Sequence, residues 1–278
     1  MSNTSDSIAF QQKIDAFGAD YARIVEQIGR AIVGNRRVID EVLSCVLCRG
    51  HALLEGVPGL GKTLLVRTLA DVLEMSFRRI QFTPDLMPTD ITGTNVVVSD
   101  SGGGKRFEFQ GGPIFANLVL ADEINRATPK TQSAVLEAMQ ERTVSVSRTT
   151  HELPRPFFVL ATQNPIEMEG TYPLPEAQLD RFMLKVLIRT PAEGEMVTIL
   201  DRTTGAETPV VEKAAAAEDI IRMQSLVRQV RAGEEVKRYV SRLVLSTHPD
   251  QPESPEVSRK YVRYGASPRG AQAIILGA

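Results

Sequence analysis

The chain has 278 residues, with Lys+Arg 32 against Asp+Glu 34 and a net charge of −2, so no basic excess argues for a nucleic-acid partner. With no Trp and 5% aromatic residues it has few platforms for stacking bases, and no apolar run approaches bilayer length. The polar start MSNTSDSIAFQQKID lacks the apolar core of a signal peptide, so the chain reads as soluble and cytoplasmic, with no membrane span. The length accommodates one α/β domain and a smaller second one.

Residues 1–19 read as a flexible N-terminal segment. From there Tyr21, Ile24, Val25, Ile28 and Ile32 mark one face of a first helix. A second helical run, VIDEVLSCVLCRG, carries Cys45 and Cys48 on one buried face. A zinc site needs two more ligands, and only His51 is near, so the pair reads as packed free thiols. HALLE (51–55) is a short apolar strand, and TLLVRTLADVL (63–73) repeats its leucines at helical spacing. Between them Gly56, Val57, Pro58, Gly59, Leu60, Gly61, Lys62 and Thr63 spell G-x-x-x-x-G-K-T, with Leu64 following in the helix. Glycines in a strand–loop–helix turn let backbone N–H groups wrap a phosphate at a helix N-terminus. Lys62 then neutralises the β- and γ-phosphates and the Thr63 hydroxyl ligates Mg²⁺, which implies a bound nucleoside triphosphate.

Further strands are expected at FRRIQF (77–82), NLVLAD (117–122), FFVLAT (157–162) and MLKVLI (183–188), with helices between most of them, the pattern of a parallel sheet. Two β-rich stretches, 95–109 around SGGGK and 143–157, read as inserted hairpins, with His151 solvated near the second tip. NLVLADE places Asp122 and Glu123 at the carboxyl edge of the sheet, where ligands bind in open α/β folds. Asp122 is read as the Mg²⁺ carboxylate and Glu123 as the acceptor of a proton from attacking water; the alternative is a capping or surface pair. Thr128 and Pro129 open a helix over TPKTQSAVLEAMQER. Strand–helix alternation stops near RTPAEG (189–194), and only helical patterns follow, so the expected division is 20–190 as core and 191–278 as a helical second domain. RGAQAIILGA begins an apolar helix without a polar tail, and that domain is expected to be incomplete.

The segments LVLADEINRATPKTQSAVLEAMQER and FFVLATQNPIEMEGTYPLPEAQLDRF, together with LLEGVPGLGKT and GASPRG, resemble the AAA+ ATPases of the MoxR family over about residues 20–278. The resemblance implies a P-loop α/β fold with a five-stranded parallel sheet, hairpin insertions and a small all-helical C-terminal lid, truncated here. It implies that Asn164 orients the hydrolytic water, that Arg181 is an arginine finger reaching a neighbouring subunit's nucleotide, and that Arg269 is the lid arginine near phosphate. Arg126 also faces a neighbour on this reading. The bland alternatives are a salt bridge from Arg181 to Asp180 or Glu176, and a structural ion pair for Arg126. Ile32, Val33 and Gly34 border the adenine; Asn35 stands where the family commonly has Gln. A ring, most simply a hexamer, follows from a finger supplied in trans. The implied work is chaperone-like remodelling of a client protein, in company with proteins carrying a von Willebrand factor A domain. The other readings are a metal-chelatase-like or nucleic-acid motor subunit, or a nucleotide-gated binding module with little turnover.

Overall fold

Strand residues alternate between two hydrophobic clusters, and this alternation fixes where the sheet lies. Leu54, Leu118, Leu120, Phe158, Leu160 and Val186 enter one cluster, while Leu53, Val119, Ala121, Val159 and Ala161 enter the other. A strand that feeds apolar side chains to both faces must be covered on both, and here helices do so. The computed structural model describes residues 2–99, 104–164, 170–205 and 209–278.

The five strands are β1 (Ala52–Glu55), β2 (Phe77–Gln81), β5 (Leu118–Asp122), β8 (Phe158–Gln163) and β9 (Leu184–Leu187). They form one sheet in the order β2-β5-β8-β1-β9, with parallel pairing throughout. All five expected strands are present, displaced by a residue at most. On the first cluster's face lie α1 (Ser2–Ala31), α2 (Arg36–Leu47) and α3 (Lys62–Val72). On the other lie α4 (Pro88–Thr92) and α5 (Pro129–Glu141). Pro129 occupies the first turn of α5, but the Thr128 hydroxyl meets that of Thr131 at 3.3 Å instead of capping the backbone.

The N-terminal segment departs from expectation. The chain is helical from Ser2, where a flexible segment over 1–19 was expected. Phe10, Ile14, Phe17, Tyr21, Ile24 and Ile28 repeat at three- and four-residue intervals, no Pro or Gly intervenes before Gly18, and Gln11 donates to Asp15 at 2.9 Å. Phe17 and Tyr21 pack on the core, so the same apolar stripe carries the helix outward.

Both insertions are antiparallel hairpins, β3 (Gly93–Ser99) with β4 (Lys105–Gly111) and β6 (Thr143–Val146) with β7 (Thr149–Glu152). Most of the tip SGGGK lies outside the described residues. His151 is not merely solvated: its ring stacks on Phe109 with centroids 3.8 Å apart and meets Phe115 edge-on, so the two hairpins are joined. The joint forms because β4 and β7 each end beside Phe115, which sequence distance alone does not reveal.

After β9 the described chain is helical, as α6 (Glu176–Leu179) is before it: α7 (Glu193–Thr204), α8 (Ala217–Val227), α9 (Glu234–Leu245), α10 (Glu256–Tyr261) and α11 (Pro268–Gly277). Residue 190 is not a break in packing. Ala214, Ala215, Ile220 and Met223 are buried in the same cluster as Ile24, Leu43 and Leu69, and the Gln224 amide donates to the Val46 carbonyl at 2.7 Å.

His51 illustrates how the core treats a titratable group. Its Nδ1 accepts from the Val159 N–H and its Nε2 donates to the Met139 carbonyl, both at 3.0 Å, which uses up the neutral ring. Burial pushes its pKa down from 6.5 to about 4. Between those values the unfolded chain binds the proton and the folded chain does not, so stability is full above pH 6.5 and is lost as pH falls towards 4. At about 1.4 kcal/mol per pH unit this amounts to roughly 3 kcal/mol. Urea midpoints measured from pH 4 to 7 should fall less steeply for His51→Gln, which can keep both hydrogen bonds without titrating. Parallel curves would contradict the assignment.

Candidate active site

Three strands end at the same edge of the sheet and deliver the expected residues to one place. The phosphate loop leaves β1 at Gly56 and enters α3 at Lys62. Gly59 and Gly61 have φ of 84° and 74°, a left-handed backbone that only glycine adopts freely, and nothing lies within 4 Å of where a Cβ would stand. The helical ladder of α3 starts with the Leu65 N–H on the Gly61 carbonyl at 2.9 Å, which leaves the N–H groups of the first turn facing that open side. Lys62 Nζ donates to the Gly56 carbonyl at 2.6 Å. Burial lowers the Lys62 pKa, while Asp122 and Glu123 act in the opposite sense, which places the amine within their field. Thr63 is partly exposed one residue further on.

Asp122 ends β5 and is 7% exposed. Thr162 on β8, fully buried, donates its hydroxyl to Asp122 Oδ1 at 2.6 Å and accepts from the Glu123 N–H at 2.8 Å. Glu123 itself has φ of 56°, an uncommon conformation for a residue with a side chain, and turns the chain from β5 into the tight turn Ile124–Arg126. Asn164 follows the last residue of β8 and is buried at the same edge. Arg126 Nη1 donates to Glu123 Oε2 at 3.0 Å, so within one chain it forms an ion pair.

A cavity of about 290 Å³ adjoins the loop. Ile32, Val33, Asn35, Leu60 and Leu64 line it, joined by Met196 and Ile199 from α7. Its mostly aliphatic wall suits a flat base. Gly34 has φ of 64° and the Glu195 carboxylate occupies the space a Cβ would need, so the IVGN segment and α7 approach each other only through a glycine. Arg202 holds α7 there by donating to the Arg30 carbonyl at 2.6 Å, at the C-terminus of α1. The contributions of Thr162, Met196 and Ile199 escape sequence reading: Thr162 is one apolar-strand residue among several, and the α7 pair looks like any amphipathic stripe. The donor set fits a nucleoside triphosphate: backbone N–H groups and an ammonium for phosphates, carboxylate and hydroxyl oxygens for a hard cation, and an apolar slot for the base.

Arg181 and Arg269 are elsewhere. Met183 N–H bonds to the His51 carbonyl, so Arg181 precedes β9 at the amino edge of the sheet, and strand β1 separates that edge from the phosphate loop by about 13 Å. Arg181 Nη1 donates to the Leu136 carbonyl at 2.7 Å and not to Asp180 or Glu176. Asp180 instead accepts from the Ser267 hydroxyl at 2.5 Å and from Arg269 Nη1 at 3.4 Å. Ser267 caps α11 by accepting from the Arg269 N–H. Among the described residues, five arginines, Arg49, Arg142, Arg181, Arg228 and Arg269, line a cavity of about 370 Å³ there, with Asp180 as the one carboxylate. Burial, and then the charges of Arg49, Arg155 and Arg228, hold the Arg142 pKa below its ordinary value. Neither Arg181 nor Arg269 is placed to meet the phosphate loop of its own chain.

Cys45 and Cys48 are buried free thiols. Burial pushes Cys45 up to about 12, and Cys48 donates to the Leu276 carbonyl of α11 at 2.9 Å.

A parallel five-stranded sheet with a phosphate loop after its fourth strand in spatial order, and with carboxylates ending a strand two places away, defines a AAA+ P-loop ATPase. Comparison agrees: the model for the ATPase family associated with various cellular activities (AAA) matches residues 51–184. The chain is 46% identical to the uncharacterized protein YeaC of Bacillus subtilis, over 92% of this chain and 77% of that protein. It is 44% identical to the chaperone MoxR1 of Mycobacterium tuberculosis, over 92% of this chain and 67% of that one. The crystal structure of a candidate ATPase from Cytophaga hutchinsonii superposes with a TM-score of 0.88 at 38% identity, covering 98% of this chain and 82% of the other. The chain belongs to the MoxR family of AAA+ ATPases.

Proposed function

We propose that the protein hydrolyses ATP to ADP and phosphate at sites completed by a neighbouring subunit, and uses the cycle to remodel a client protein. The observation that carries this reading is the split between the two sheet edges: Lys62, Thr63, Asp122, Glu123 and Asn164 at one, Arg181 and Arg269 at the other. In a head-to-tail ring, most simply a hexamer, the arginine-lined edge of one subunit faces the nucleotide of the next, and excess positive charge meets phosphate.

Within one site, backbone N–H groups of the loop and Lys62 hold the phosphates, and Ile32, Val33 and the α7 side chains enclose the base. Thr63 and Asp122 would hold Mg²⁺, which when bound neutralises charge on the β- and γ-phosphates. Asn164 orients the attacking water and Glu123 accepts its proton. Thr162 keeps Asp122 and the Glu123 backbone in register. Residues 20–190 make the ATPase core and 191–278 the helical lid, which the α7 contacts couple to the base pocket.

The two hairpins, joined through Phe109 and His151 and bearing exposed Val97 and Phe107, are the surface offered to a client. The relative named chaperone MoxR1 supports chaperone-like work, and a partner with a von Willebrand factor A domain fits the family. A cytoplasmic setting suits free buried thiols; no helix of the described residues is long and apolar enough to cross a membrane.

A hydrolysis-dead Glu123→Gln chain should retain client in the presence of ATP, while Lys62→Ala should not. Quantitative pull-downs with both variants test this. Equal recovery of the same proteins by the two would contradict nucleotide-driven remodelling.

A further inference from the structure

Arg79 is an exposed-looking strand residue with no part in the phosphate loop, yet it touches both carboxylates of the site, one of them through an intermediary. On edge strand β2, Arg79 stands opposite Leu120 and Gln81 opposite Asp122 of β5, so all four side chains share one face of the sheet. The guanidinium donates to Asp122 Oδ2 from Nε at 3.0 Å and from Nη2 at 2.6 Å. The same Nη2 donates to Gln81 Oε1 at 2.6 Å, and Gln81 Nε2 donates on to Glu123 Oε2 at 3.0 Å. Thr162 already occupies Oδ1. Three of the roughly four acceptor positions of Asp122 are therefore filled before any metal arrives.

We propose that Arg79 is a positioning residue that stands in for the divalent cation on Asp122, and that its bond to Gln81 ties release of Asp122 to a loosening of Glu123. This rests on the reading of Asp122 as the metal carboxylate. Asp122 is 10% exposed at its side chain, and a buried carboxylate without a cation beside it is costly. Arg79, at 48%, keeps one side in water and can swing away. A cation approaching Asp122 meets a positive charge on the same oxygen and must displace or repel it. Displacement frees Nη2 from Gln81 as well, and Gln81 is then no longer held against Glu123. Loading of the metal thus removes one of the two hydrogen bonds on Glu123 Oε2, the other being the Arg126 ion pair. Only the planar fork of arginine spans both partners, so lysine can supply the charge but not the link.

The test uses the full chain and a fluorescent, non-hydrolysable ATP analogue, titrated with Mg²⁺ at fixed nucleotide. Arg79→Gln should lower the half-saturating Mg²⁺ about tenfold, the effect of removing one charge close to the metal in a half-exposed site. Arg79→Lys should stay within about twofold of the native chain, since the charge remains. A purely structural role predicts the opposite for the metal, a raised Mg²⁺ requirement in both variants. If thermal melting shows Arg79→Gln to be unfolded, Arg79→Met, which keeps the stem, carries the same expectation. An unchanged or raised half-saturating Mg²⁺ in the charge-free variant, with native binding dependent on Mg²⁺, overturns the proposal alone. Mg²⁺-independent binding by the native chain overturns the reading of Asp122 and the proposal together.

Discussion

Arg181→Ala is expected to bind ATP almost as the native chain does and to hydrolyse it at least ~10³-fold more slowly, the lower end for a lost arginine finger. The expectation follows from position. Arg181 precedes β9 at the amino edge, its Nη1 rests on the Leu136 carbonyl, and no phosphate-contacting residue of its own chain is within reach. Its loss therefore leaves the loop, the base cavity and Asp122 intact. What is lost is a planar, permanent charge that can spread over the phosphate oxygens as they gain charge. The Leu136 bond is one hydrogen bond from a partly exposed group, so truncation costs about 1 kcal/mol of stability at most. Nucleotide affinity from equilibrium titration and kcat from phosphate release decide the matter. A tenfold loss of affinity alongside the rate would mean that Arg181 supports the fold or the chain's own site.

Glu123→Gln should retain ATP affinity and lose turnover by about 10² to 10⁴, the range for removing a general base. Gln is nearly isosteric and can still accept from Gln81 and Arg126, but it cannot accept a proton from water. Lys62→Ala should instead lose binding itself, because its ammonium is the side-chain cation of the loop and sits between the Gly56 carbonyl and the field of Asp122 and Glu123. The pair of variants separates binding from chemistry. Near-normal hydrolysis by Glu123→Gln removes Glu123 from its role.

The parts of this molecule that are visible in the sequence are those whose requirements are local. The phosphate loop needs glycines, a lysine and a hydroxyl within eight residues, because a backbone must bend round a phosphate and start a helix at once. The three central strands are short apolar runs buried on both faces, and Leu118 to Asp122 reads as a strand ending in charge without reference to any neighbour. The adenine segment and the roles of Asn164, Arg181 and Arg269 come from family resemblance, since an Asn before Pro or an Arg after Asp has no signature of its own.

What stays hidden depends on register between distant segments. Arg79 meets Asp122 only because β2 and β5 pair in one particular alignment. Thr162 bridges Asp122 and Glu123 only because β8 lies next to β5. The arginine cavity draws on the α2–β1 turn, the end of α5, the approach to β9, α8 and α11, and no window of sequence contains them together. The N-terminal helix is a different case: the Phe10-to-Ile28 repeat was present in the sequence, but its polar neighbours masked it.

The account's central claim is that each hydrolytic site is built from two chains, and one mixture tests it most directly. Lys62→Ala and Arg181→Ala should each be nearly inactive alone, one lacking its own phosphate grip and the other lacking the charge it lends to a neighbour. Mixed under conditions where subunits demonstrably exchange, some interfaces will join an intact loop from the Arg181→Ala chain to an intact finger from the Lys62→Ala chain. ATPase activity should then rise well above the sum of the two separate preparations and vary with their ratio. Exchange without recovery of activity, or full-rate hydrolysis by a strictly monomeric native preparation, would contradict the shared site.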